Sequence, residues 1–148
     1  MFGIYRRLKF QRVYFSAYQK GLGHPDIPGE KRLLSNPAQF FMREHRLYQT
    51  DFLIRRYGFE NEDIVFDKSG NLSLDKDPKQ IWADTHPEFY PVKINSADKE
   101  ALLRVPGLGL DSVSRILQAR REKKIFRVED LGITGRRLEK IKQYAVCG

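Results

Sequence analysis

Val105-Pro106-Gly107-Leu108-Gly109 sets two glycines either side of one apolar residue, directly before a run with helical spacing. That order favours chemistry done by the main chain. Glycine reaches φ > 0 without a Cβ penalty and lets another surface come close. The first turn of the following helix offers N–H groups that lack intrahelical acceptors, and the positive end of the helix dipole. Together these make an anion site, in which a phosphate meets the N–H groups of Leu108, Gly109 and Leu110 with no side chain between. Gly107 shapes the turn. Main-chain donors do not read base edges, so the expected partner is a sugar-phosphate strand held without regard to sequence. Arg115, Arg120, Arg121, Lys123, Lys124, Arg136 and Arg137 are expected to add a screened attraction. Without the glycine pair, the basic run from Arg120 to Lys124 reads as a solvated turn.

Other candidate chemistries fail on spacing. His24, His45 and His86 are too scattered to form a metal site. His45, Arg46 and Asp51 share one helix without the order of a nucleophilic triad. Asp67, Ser69, Asn71, Asp75 and Asp77 resemble a calcium loop, but an EF-hand needs glycine at its sixth position and Gly70 is fourth. Cys147 is the single cysteine, which excludes an internal disulfide and a thiolate metal cage and fits a reducing, cytoplasmic setting. No catalytic, metal or cofactor residues are assigned, and the chain is not expected to be an enzyme by itself.

With 148 residues, 41% of them apolar, the chain has room for one domain or two small ones. Its formal charge of +8 is unevenly spread: residues 1–20 carry +5, residues 21–90 carry −3 and residues 91–148 carry +6. A basic last third after an acidic middle matches the footprint of a polyanion-binding region. The N-terminus lacks the apolar core of a signal peptide, and no run approaches about 18 apolar residues, so no membrane association is expected.

The positioning elements follow from local rules. Arg12 to Tyr18 alternates with Val13, Phe15 and Ala17 on one side, the period of a half-buried strand. Gly21 to Glu30 reads as a loop. Asn36-Pro37-Ala38-Gln39 opens a helix that ends at Tyr57 before Gly58, with Phe40, Phe41, Leu47, Tyr48, Phe52, Ile54 and Tyr57 as a core stripe. Lys68 to Asn71 is a turn. Asp77-Pro78-Lys79-Gln80 starts a short helix that carries Trp82 as a core anchor and stops at His86-Pro87. After an extended connector the domain boundary is expected at Pro91, and Asn95 is expected to cap the helix before the glycine turn. Val128 to Leu131, Gly132 to Gly135 and the closing helix with Leu138, Ile141 and Ala145 repeat the pattern as an internal duplication.

Asn95-Ser96-Ala97, Leu102-Leu103, Pro106-Gly107-Leu108-Gly109, Ile116, Arg120 and Phe126 to Leu131 resemble a tandem helix-hairpin-helix domain over about a third of the chain. The resemblance implies phosphate contacts at Leu108, Gly109, Leu110 and Asp111. Two positions depart from the pattern: Ser112 stands where many members carry Lys, and Thr134 replaces the second glycine of the second hairpin. A wider set resembles the C-terminal part of putative DNA modification or repair radical SAM proteins. Its motifs are Tyr14 to Tyr18, Arg43 to Asp51, Tyr57-Gly58-Phe59, Asp77-Pro78-Lys79 and His86 to Val92. That resemblance implies an upstream barrel with a 4Fe–4S cluster and S-adenosylmethionine, which one cysteine cannot hold, and a uracil-DNA-glycosylase-like partner. The expected fold is therefore mainly α. A helical accessory region with a short N-terminal β element, 1–91, precedes a helix-hairpin-helix DNA-binding domain, 92–148. A docking module for a repair enzyme and an RNA-binding domain stay open as alternatives.

Overall fold

The computed structural model describes residues 1–16, 18, 21, 23–27 and 37–148. Among them the chain is mainly helical, with six α-helices and one two-stranded sheet. It forms two compact units, Met1–Pro78 and Lys79–Gly148.

In the first unit, α1 (Phe2–Leu8) precedes the long α2 (Pro37–Tyr57) and a 3-10 turn at Asn61–Asp63. Proline at the first position of α2 gives up only an N–H that has no helical acceptor; the anticipated cap, Asn36, lies outside the described residues. The expected strand is absent: residues 12–16 and 18 form none, and Ala17 lies outside the described residues. Among the described residues, tyrosine hydroxyls take the place of a neighbouring strand. Val13 N–H donates to Tyr5 Oη at 3.2 Å, Phe15 N–H donates to Tyr48 Oη at 3.2 Å, and Tyr48 O–H donates to Phe15 O at 3.1 Å.

The buried face of α2 also differs from the aromatic stripe. Phe41 and Phe52 are exposed, whereas Arg46, Thr50, Asp51 and Leu53 are buried. Arg46 is accommodated because its guanidinium donates to Ser73 O at 3.2 Å, Leu74 O at 3.0 Å and Gln49 Oε1 at 2.7 Å. Asp51 is matched by Arg55, one turn later, at 2.9 and 2.6 Å and by the Tyr5 hydroxyl. The turn at Lys68 to Asn71 forms as read, with Gly70 at φ 73° and Asp67 Oδ1 accepting from the N–H groups of Ser69 and Asn71.

The second unit begins earlier than Pro91 because α3 (Pro78–Thr85) and the connector after it pack within it. Trp82 is buried, with the His86 ring stacked at 4.3 Å and the Arg104 guanidinium 4.4 Å from its ring centre. Tyr90 O–H donates to Arg104 O at 2.9 Å, and its ring meets Tyr144 edge-on at 4.9 Å. A short β1 (Val92–Lys93) then pairs in parallel with β2 (Ala145–Val146) at the far end of the unit, Val92 opposite Ala145.

Between these strands lie α4 (Lys99–Arg104), α5 (Leu110–Glu122), a 3-10 turn at Val128–Leu131 and α6 (Gly135–Tyr144). Asp98, not Asn95, caps α4, accepting from Ala101 N–H at 2.7 Å. Asn95 is drawn instead to a distant segment, giving Nδ2 to Ile125 O at 2.8 Å and to Cys147 O at 2.6 Å while Oδ1 accepts from Ile125 N–H at 2.9 Å. Ile94, Leu102, Val105, Val113, Ile116 and Ile141 are fully buried, each contributing about 1.5–3 kcal/mol of apolar transfer.

Two turns of this unit share a backbone pattern. Gly107 and Gly132, 25 residues apart, have φ 90° and 70°; each is followed by a buried apolar residue, Leu108 or Ile133, and an extended N-cap, Gly109 or Thr134. Ser112 and Arg137 are related by the same offset and hydrogen-bond to each other. The contacts are reciprocal: Arg115 of α5 reaches the second turn at Leu131 O, and Arg137 of α6 reaches the first at Gly107 O.

Candidate nucleic-acid interface

The turn ahead of α5 uses one of its glycines for conformation. Gly107 sits at φ 90°, and a Cβ there would lie 2.9 Å from Ile141 Cγ1 and 3.2 Å from Arg137 O, so neither the backbone nor the packing admits a side chain. Gly109 has an ordinary extended geometry, φ −114° and ψ 176°. Its lack of a side chain matters differently: no Cβ stands at the N-cap of α5.

The expected row of donors is shorter than anticipated. Leu108 N–H donates to Val105 O at 3.1 Å, closing the turn, and is not available to a phosphate. Leu108 itself is buried. The N–H groups of Gly109, Leu110 and Asp111 have no acceptor among the described residues, as the start of a 13-residue helix requires. Asp111 is exposed at this same end. Its carboxylate favours the helix dipole and opposes an incoming anion.

Two cations are tied to the carbonyl side of the turn. Lys79 Nζ donates to Leu108 O at 2.6 Å, and Arg137 Nε donates to Gly107 O at 2.6 Å while its Nη2 reaches the hydroxyl of the buried Ser112. Both charges thus stand at the base of the free amides, raising the local positive potential. Lys79 carried no signal in the sequence, since its carbonyl partner lies 29 residues away.

The seven basic residues anticipated here divide into two groups. Arg115, Arg120 and Arg137 turn onto backbone carbonyls: Arg115 to Leu131 O at 3.2 Å, Arg120 to Ile94 O at 3.1 Å and Ala97 O at 2.6 Å, and Arg137 as above. They hold the unit together, so they are not free phosphate ligands. Arg121, Lys123, Lys124 and Arg136 are exposed. Lys124 Nζ stands 5.8 Å from the ring centre of the exposed Phe126. Lys142 is matched to Glu129 at 2.6 Å, a pairing that lowers the Glu129 pKa and raises that of Lys142. Cys147 has its thiol pKa raised by burial, which disfavours the thiolate.

No protein-family model matches this chain, and comparison with curated proteins and with solved structures finds no match. Among the described residues no helix is long and apolar enough to cross a membrane.

Proposed function

We propose that the Lys79–Gly148 unit is a tandem helix-hairpin-helix module that binds the DNA backbone without sequence preference. One observation carries this reading: three successive N–H groups, of Gly109, Leu110 and Asp111, lack an acceptor among the described residues beside a glycine-shaped turn whose Leu108 and Gly107 carbonyls accept from Lys79 and Arg137 respectively. Arg121, Lys123, Lys124 and Arg136 provide the exposed positive charge that a phosphate chain requires. The chain then positions DNA for modification or repair chemistry on a radical SAM-type catalytic barrel supplied by another polypeptide segment, with a glycosylase-like enzyme as a further partner.

Titration of duplex DNA at several salt concentrations tests the reading. With two to four phosphates neutralised, log affinity should fall against log salt with a slope of about −2 to −4. Gly109→Val keeps an allowed backbone geometry but covers the amides, and should abolish duplex retention. A flat salt profile, or full retention by this variant, overturns phosphate binding at this turn. Tighter binding of structured RNA than of duplex DNA assigns the turn to A-form phosphates instead.

A further inference from the structure

We propose a second ligand site, in the Met1–Pro78 unit, that takes a nucleoside monophosphate: base against Phe10, phosphate on Lys9 and Arg56. It is independent of the DNA reading. A cleft of about 550 Å³ lies between α1, the Lys9–Gln11 segment and the C-terminal end of α2, within the size of small-ligand sites, about 300–1,000 Å³. Its apolar lining is mostly aromatic, from Phe2, Tyr5, Phe10 and the buried Phe59, with Ile54 beside them. Phe10 is 56% exposed and, among the described residues, has no ring partner, so one face of a flat apolar group remains to be covered.

The cations of the cleft fall into two kinds. Arg6 is paired with Glu60, the lining carboxylate, and Arg55 forks onto the buried Asp51. Glu60 and Asp51 are thereby each matched by an arginine. Lys9 and Arg56 line the same cleft, are exposed, and have no side-chain acceptor among the described residues. A guanidinium fork and an ammonium left over in the cleft that the exposed Phe10 ring lines suit a planar group that carries a phosphate. An aliphatic acid would leave the rings uncovered, and an uncharged aromatic would leave both cations unmatched.

Calorimetric titration of the full chain with AMP, inorganic phosphate and a single-stranded trinucleotide tests the site. AMP should bind in a one-to-one ratio, with inorganic phosphate about tenfold weaker because it lacks the stacking base. Phe10→Ala and Arg56→Ala, both at exposed positions, should each weaken AMP by about tenfold. Gly109→Val should leave AMP binding unchanged while duplex retention is lost, which separates this site from the turn ahead of α5. A trinucleotide that binds more tightly than AMP identifies a strand as the source of the nucleotide; the reverse order identifies the free nucleotide, and both support the site. Absence of AMP binding at millimolar concentration, phosphate binding as tightly as AMP, or wild-type AMP affinity in both variants overturns the proposal.

Discussion

At the scale of the residue, the two glycines of one turn have opposite functions and should separate in experiment. Gly107→Ala places a side chain at φ 90° and against Ile141 and the Arg137 carbonyl. It should cost about 2–4 kcal/mol of stability, read by denaturant unfolding. Gly109→Val, at the N-cap of α5, should cost only about 1 kcal/mol of stability and act mainly on binding. The arginines separate in the same way. Arg120→Ala leaves the carbonyls of Ile94 and Ala97 without their donor, and should cost about 1–3 kcal/mol. Arg121→Gln and Lys123→Gln should leave stability unchanged. Under the proposed function each should flatten the salt slope of duplex binding by about 1 if it neutralises one phosphate.

At the scale of the element, the start of α5 combines two opposed demands. A carboxylate in the first turn stabilises the helix, and Asp111 is the only acid there. The same charge repels a phosphate seated on the Gly109, Leu110 and Asp111 amides. Asp111→Asn should therefore lower stability by about 0.3–1 kcal/mol while tightening duplex binding by about two- to fivefold. A fall in both quantities would mean that the carboxylate does not face the bound strand. In α2 the buried Arg46 and Asp51 make the helix dependent on partners outside it: the Ser73 and Leu74 carbonyls for one, Tyr5 and Arg55 for the other. A purely apolar stripe would bury side chains without orienting them so narrowly.

At the scale of the whole molecule, ionisation and overall charge set the conditions under which the chain works. The Tyr90 hydroxyl has its pKa raised, chiefly by burial and then by the neighbouring Tyr144. Tyr5 is shifted in the same direction, by burial and by its bond to Asp51. A tyrosine in the unfolded chain ionises near about pH 10, so above that pH the unfolded state loses protons that the folded state keeps. The contribution of both groups is complete below about pH 10 and is lost as pH rises further. Unfolding free energy measured between about pH 10 and 11.5 should decline. Tyr90→Phe should make the decline shallower, although it removes the bond to Arg104 O. The net charge of +8 adds a long-range attraction for polyanions that added salt should screen.

What the sequence determined by itself was local. Pro37 and Pro78 mark the starts of α2 and α3, and Gly70 marks a turn. The turns at Gly107 and Gly132 were legible because a positive φ narrows the choice of residue. The placement of side chains was not legible, because each depends on an acceptor far along the chain. Arg137 reaches a carbonyl 30 residues back, Arg120 reaches carbonyls 26 and 23 residues back, and Arg46 reaches carbonyls 27 and 28 residues ahead. The alternating stretch near Phe15 has the period of a strand, but its Val13 and Phe15 amides donate to tyrosine hydroxyls. Tertiary structure alone decided which cations face outward and which amides stay open. Charge and hydrogen-bonding capacity belong to the residue, whereas the partner that occupies them belongs to the fold.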